Sequence, residues 1–360
     1  VGYAGTDRVA QLFTKYLKQR GNYDPYIVYR LGNHDNSRLD IMKDILGEDR
    51  VVGYLWEPGR SGKTPPYIPE SSNLKEVLAA IQPDIVHMHR SGYAEWPGMK
   101  SICPGAKFVE TNIFGYNDAT NPRQFDYNIY ISNFIKNSAL NAGNQDGPVL
   151  YNPTEQPVLE MTEENRRECR ERLLRRFGMP DDAVLMGRVG RPDNFDPIAL
   201  NAFKKIQGRV ENLHYLVVNP CGRWREVVDR QRIERVHFLD PIIADDELSA
   251  FYHGLDFYAH ARQDGECCPC NIQEAMMHGL PILSHHSPIY NGQSEIIENG
   301  GFCVPINDDT AYGKVMEQLA LRPDVREHFG RDARRRAMRD FEASCVTDKL
   351  ERMYSNVLSK

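Results

Sequence analysis

The sequence predicts an α/β fold of two Rossmann-like domains, on three observations. The chain has 360 residues, too many for one ordinary core, and its 41% apolar content is enough to fill two. Short β-rich runs alternate with helical segments along most of its length. In the second half, the buried run ending at Gly187 and Gly190 leads through a glycine turn into a helix, an arrangement that cradles anions.

Composition narrows the class. A net charge of −6 and a pI near 6.0 argue against nucleic acid as the main partner. No run approaches the length of a membrane-spanning helix. The eight cysteines lack the spacing of a disulfide scaffold, and no signal peptide is evident, so reduced thiols in a cytoplasmic setting are expected. Cys267, Cys268 and Cys270 crowd together but have no matching downstream pair, a poor zinc set.

The chain opens on a glycine-containing turn entering a helix. Val9, Leu12, Phe13, Tyr16 and Leu17 share one face of that helix, and Gly21 stops it. An alternating domain should have a strand before such a turn, and none is present. The sequence is therefore expected to lack its native N-terminus or to be part of a larger polypeptide. A strand at about 25–31, helices at 38–46 and 74–81, and a strand at 84–89 follow. On that last strand His87 and His89 point one way, Val86 and Met88 the other. His89, Arg90, Ser91 and Tyr93 either face a ligand at the strand end or merely finish the strand. Further strands end at Glu110, Thr111 and Asn112, and before Ser132 and Asn133.

A charged helix is expected at about 162–177, with Arg166, Arg167, Arg170, Arg172, Arg175 and Arg176 among glutamates. A solvated, salt-bridged face is the default reading, and peripheral contact with a membrane surface the alternative. Strands follow at 184–189, 213–219, 236–240, 255–261, 281–285 and 300–305. GNHD at 32–35 reads as a post-strand turn and GRSGKT at 59–64 as a loop. The latter lacks the first glycine of a phosphate loop and runs into Pro65 and Pro66.

The segment from Gly265 to Pro281, GECCPCNIQEAMMHGLP, carries the most information. Pro269 suits the first helical position, Gly279 the position past the end, and Pro281 blocks continuation, so a helix is expected from Pro269 to His278. Glu274 then projects from its second turn and Glu266 lies in the loop before it. Free N–H groups and the positive end of the helix dipole lie between them. An anion site framed by two carboxylates suits a ligand with both phosphates and hydroxyls, a nucleotide diphosphate sugar.

The spacing of Glu266 and Glu274, followed by Ala-Met and Gly-x-Pro, resembles the donor-site signature of retaining glycosyltransferases of the two-Rossmann-domain (GT-B) type, the family 4-like group. The resemblance implies two domains facing across a cleft, with a C-terminal helix crossing back to the first. The domains would be 1–160 for the acceptor, 161–335 for the donor, and 336–360 for the returning helix. It implies transfer of a sugar from the nucleotide to a hydroxyl of a glycan, lipid or small-molecule acceptor, with retention and with no metal or other cofactor. By position, Glu274 would bind the ribose and Glu266 would lie against the sugar, with Arg191 beside it in catalysis. Gly190, Arg188, Arg191, His260, Arg262, Cys270, Asn271 and Ile272 would complete the donor site, and Gly5, His89, Arg90, Tyr93 and Asn112 the acceptor side.

Three departures from the family stand out. Relatives carry a histidine after the strand matched by Val109 to Asn112, and none stands here. Their diphosphate-gripping lysine falls on Asp193 or Asp196, so Arg191 or Arg188 must supply the charge. Of the two, Arg191 is expected to reach back over the strand end and Arg188 to alternate away. Cys268 and Pro269 replace an aromatic residue and a glycine, and Pro269 has no N–H to donate. Two other readings remain: a nucleotide-sugar epimerase on the same fold, and a weakly active or non-catalytic donor-binding domain.

Overall fold

The computed structural model describes residues 5–31, 38–55, 73–90, 103–116, 125–192 and 194–359, with the Arg90 side chain excepted. Tyr93, Ser91, Asp193 and the segments 32–35 and 59–64 lie outside them. The chain forms two compact units: Val1–Pro153 with Ala343–Lys360, and Thr154–Glu342.

In the first unit, α1 (Gly5–Arg20) buries Val9, Leu12, Phe13 and Leu17, the stripe its periodicity requires, and Gly21 ends it at φ +72°. Strand β1 (Ile27–Arg30), helix α2 (Leu39–Leu46) and strand β2 (Val51–Tyr54) follow, and β1 and β2 pair in parallel. Strand β2 escapes sequence reading because VVGY is short and holds a glycine. That glycine marks a close approach: a Cβ on Gly53 would sit 2.6 Å from the Leu31 side chain. After α3 (Leu74–Ile81) come β3 (Ile85–Arg90), β4 (Lys107–Asn112) and β5 (Tyr127–Tyr130), a parallel sheet in the order β3-β4-β5, and then α4 (Asn133–Asn141), N-capped by Ser132. Val86, Met88 and Phe108 pack with Leu74 and Leu78 on one face of this sheet.

The second unit opens with α5 (Glu163–Phe177), whose N-cap Thr162 accepts from the Asn165 N–H at 3.1 Å and whose C-cap Gly178 is left-handed. Then follow β6 (Val184–Arg188), α6 (Ile198–Ile206), β7 (Leu213–Val218), α7 (Gly222–Gln231), β8 (Val236–Leu239), α8 (Asp245–His253), β9 (Phe257–Ala259) and β10 (Gly265–Glu266). Next come α9 (Cys270–Met277), β11 (Ile282–His285), β12 (Tyr290–Asn291), α10 (Gly292–Ile297), β13 (Gly301–Val304), α11 (Asp309–Leu321) and α12 (Pro323–Asp340). Helix α13 (Ala343–Leu358) belongs to the first unit, where Arg20 of α1 pairs with Asp348 and Glu351.

Six strands form one parallel sheet in the order β13-β11-β9-β6-β7-β8. The four inner strands, buried on both sides, read as near-continuous apolar runs. The core on one face joins Met186, Phe203, Tyr215, Trp224 and Phe257 to Tyr312 and Met316 of α11.

Not all the arginines of α5 lie on a solvated face. Arg175 meets Glu171 in an exposed pair, but Arg170 reaches inward to Asp256 at 2.6 Å, and the same carboxylate oxygen accepts from the Leu185 N–H at 2.8 Å. One buried acid thus ties α5 to β6 just before β9. From α12, Arg336 donates to the carbonyls of Glu295 and Ile296, and Arg334 to that of Met277, satisfying groups orphaned at the ends of α10 and α9. No described helix is long and apolar enough to cross a membrane.

Candidate functional site

Strand order in the six-stranded sheet reverses direction between β6 and β9, and the crevice outside the strand ends at such a switch point is where open α/β sheets take ligands. The residues after β6 and after β9 converge there. The Tyr258 hydroxyl accepts from the Val189 N–H at 3.1 Å and donates to the Val189 carbonyl at 2.8 Å. Asn271 Nδ2 donates to that carbonyl at 2.8 Å, and the Gln263 N–H donates to the Phe195 carbonyl at 3.3 Å. The glycine turn is therefore pinned to both β9 and the start of α9.

Arg188 does not alternate away from this turn. Its guanidinium folds back so that a Cβ on Gly190 would lie 2.8 Å from Nη2, and it stacks over Trp224 at 4.9 Å while donating to the Asn194 carbonyl. The side chain is buried, yet among the described residues Nε and Nη1 meet no acceptor. Asn194 Oδ1 and Trp224 Nε1 are likewise buried without a partner among the described residues. Orphaned polar atoms in one place mark a site that gains from a polar occupant. Arg191, next in sequence after Gly190, is exposed.

Helix α9 begins one residue later than its sequence suggests. Pro269 is extended, at ψ 107°, and its carbonyl accepts from the Gln273 N–H, so it is the N-cap and not the first helical residue. Having no polar side chain, it offers the first N–H groups no cap, while Asn271 Oδ1 accepts from the Ile272 N–H at 2.9 Å. The far end matches expectation: Gly279 is left-handed, its N–H bonds Met276 and the Leu280 N–H bonds Ala275, a Schellman closure. Glu274 is half-buried on this helix, and its Oε2 accepts from the Tyr252 hydroxyl at 3.1 Å. Burial first, and the Glu274 charge second, push the Tyr252 phenol well above its ordinary pKa, so it remains a donor. Cys270 is half-buried at the start of the helix.

Glu266 sits on the two-residue strand β10, not in a loop. Gly265 is left-handed at φ +69°, and a Cβ there would collide with the Tyr290 carbonyl; one on Gly292 would strike the Cys267 carbonyl. These two glycines let β10 and β12 approach, and Gln293, fully buried, accepts from the Glu266 N–H at 3.0 Å while donating to the His285 carbonyl at 2.9 Å. The carboxylate meets Arg262 Nη1 at 2.6 Å and His260 Nε2 at 3.3 Å. Burial alone would raise its pKa, but the His260 hydrogen bond and the two neighbours together hold it below the ordinary value. Glu266 is therefore ionised at neutral pH and only accepts hydrogen bonds. The neighbouring Cys267 thiol is pushed up to about 12 by burial, which makes it a poor nucleophile.

In the first unit, Gly5 begins α1. His89 stacks on His87 at 4.4 Å, and His87 is itself held by the Tyr354 hydroxyl at 2.6 Å and the Thr111 hydroxyl at 2.7 Å. Asn112 is fully buried, and its amide builds the turn after β4 by accepting from the Gly115 N–H and donating to the Tyr116 carbonyl. Among the described residues, no group of three or more His, Cys, Asp or Glu side chains could hold a metal.

Sequence reading missed Tyr252, Tyr258, Ser284, Gln293 and Trp224. The only available signal was the Asn-Gly pair at 291–292, a turn marker just upstream of Gln293.

Residues 180–321 match the family model described as glycosyl transferases group 1. A search of curated proteins finds no match. Among solved structures, the chain is similar to a glycosyltransferase from Rickettsia africae, with 17% identity, coverage of 99% of this chain and 96% of that one, and a TM-score of 0.77. It is also similar to Anabaena HepE in complex with UDP and glucose, with 15% identity, 98% and 96% coverage, and a TM-score of 0.74. The N-terminal domain of Candida albicans trehalose-6-phosphate phosphatase shows 10% identity, 98% and 92% coverage, and a TM-score of 0.70. The fold is thus of the GT-B type, two α/β units with the C-terminal helix belonging to the first.

Proposed function

We propose that this chain is a glycosyltransferase that moves a sugar from a nucleotide diphosphate sugar to an acceptor hydroxyl, with retention and without a divalent metal. The observation that carries the reading is the pair Glu266 and Glu274, both held by neighbouring side chains, around a helix start that Pro269 leaves without a side-chain cap. The family model over residues 180–321 and the UDP held by Anabaena HepE support it.

In this reading Glu274 accepts from the ribose hydroxyls and Glu266 from the sugar. The diphosphate lies against the glycine turn and the start of α9, where Arg188 and Arg191 offset its charge. Departure of the nucleoside diphosphate builds negative charge, and fixed donors at that point lower the barrier without reorganising. The first unit takes the acceptor, with His89 and Arg90 at the end of β3. An aspartate, Asp193 or Asp196, where the resembled family carries a lysine, favours a second reading, a domain that binds donor but transfers slowly or not at all.

The test is a thermal-shift screen of the whole chain against UDP-, GDP-, ADP- and dTDP-sugars, followed by product analysis in excess chelator. Transfer or slow hydrolysis with the chelator present supports the proposal. Interconversion of sugars points to an epimerase, binding without turnover to the second reading, and a requirement for manganese or magnesium to another mechanism.

A further inference from the structure

Glu266 is reached by a hydrogen-bonded chain that begins deep in the sheet. Ser284 on β11 and His260 just after β9 are neighbours in the parallel register, where the His260 N–H donates to the Leu283 carbonyl at 2.8 Å. Their side chains meet, Ser284 Oγ to His260 Nδ1, at 3.2 Å, and His260 Nε2 continues to Glu266 Oε1 at 3.3 Å. Ser284 is 0% and His260 3% exposed, so neither touches a ligand directly, and their arrangement as serine, histidine and glutamate is not a nucleophile's triad.

The direction of the bond to Glu266 follows from chemistry. An ionised Glu266 has no proton to give, so His260 Nε2 must carry the hydrogen. Ser284 Oγ serves either form of the ring, donating to a bare Nδ1 or accepting from a protonated one. Tyr312 completes the frame by donating to the His260 carbonyl at 3.0 Å. With His260 on Oε1 and Arg262 on Oε2, both carboxylate oxygens are fixed in place.

We infer that His260 and Ser284 are positioning residues, which lock Glu266 in the orientation that receives the hydroxyl groups of the transferred sugar. This rests on the assignment of Glu266 to the sugar made above. Glutamine at 260 can place an amide N–H where Nε2 stands, whereas asparagine is too short and leaves Oε1 without its donor.

The experiment has two arms. Nitrogen-15 NMR of histidine-labelled protein reads His260 directly: a protonated Nε2 is expected, and a bare Nε2 overturns the inference whether or not any donor is turned over. In the second arm, His260→Asn should lower kcat/KM for the nucleotide sugar by roughly tenfold or more, the scale of one lost hydrogen bond to a charged group. His260→Gln should stay within about threefold of the parent, and nucleoside diphosphate affinity should hold in both. Equal losses in the two variants, or a loss of diphosphate affinity, would mean that His260 only fills space. If no donor is processed, the proposed function fails while the NMR result still decides the relay.

Discussion

Tyr252, fully buried on α8, donates its phenolic proton to Glu274 on α9 across 3.1 Å, so a carboxylate at the site is aimed from inside the protein. If that carboxylate takes the ribose hydroxyls, Glu274→Ala should weaken the free nucleoside diphosphate and the full donor alike, by about 1.5–3 kcal/mol. Tyr252→Phe should weaken both by a smaller amount, about 1 kcal/mol. Calorimetry on parent and variants checks this; unchanged affinity in Glu274→Ala would remove Glu274 from the ribose.

The two arginines of the glycine turn make separable predictions. Arg188 has two buried nitrogens without acceptors among the described residues, and Arg191 stands exposed beside the same glycine. Loss of either should lower affinity for nucleoside diphosphate far more than for the nucleoside, and should lower turnover by about 10²–10³-fold if that charge stabilises the leaving group. Titrating both ligands against Arg188→Ala and Arg191→Ala assigns the role. A loss confined to Arg188→Ala would make Arg191 a bystander, and a loss equal for nucleoside and diphosphate would take both off the phosphates.

Asp256 predicts stability, not activity. Its carboxylate satisfies Arg170 and the Leu185 N–H together, from a position 9% exposed. Asp256→Ala strands both donors and should cost roughly 3 kcal/mol, toward the low end for a broken buried pair because Arg170 is partly solvated. Urea denaturation measures it, and a change below about 1 kcal/mol would show that water replaces the acid freely.

Acid should destabilise the second unit before its carboxylates titrate. Burial lowers the His214 pKa to about 4, with His237 opposite at 3.0 Å, and the His278 pKa to about 3. Unfolded, each ring takes up its proton near pH 6.5, so the unfolded state binds more protons below that pH. The stability contributed by these two neutral rings is complete above about pH 6.5 and is lost as pH falls toward the folded values, by up to about 1.4 kcal/mol per pH unit for each. Urea midpoints at pH 7.5 and 5 should show the drop, and His278→Gln should reduce it. A flat profile over that interval would contradict the burial argument.

Local chemistry in the sequence determined much of this protein. The stripe of α1, the apolar runs of the four inner parallel strands, the closure of α9 at Gly279 and the two glutamates around its start all follow from periodicity, turn chemistry and spacing within about ten residues. Tertiary structure alone decided what holds those glutamates. Tyr252, Gln293 and Ser284 reach Glu274, Glu266 and His260 only because parallel strands and their crossover helices bring distant segments together, and no local pattern encodes such a meeting. The same holds for Arg188, whose alternation along β6 said nothing of the fold-back over Gly190 that Trp224 and Asn194 impose. Even the start of α9 was set by tertiary context: Pro269 accepts either side of a helix boundary, and its extended backbone makes it the cap.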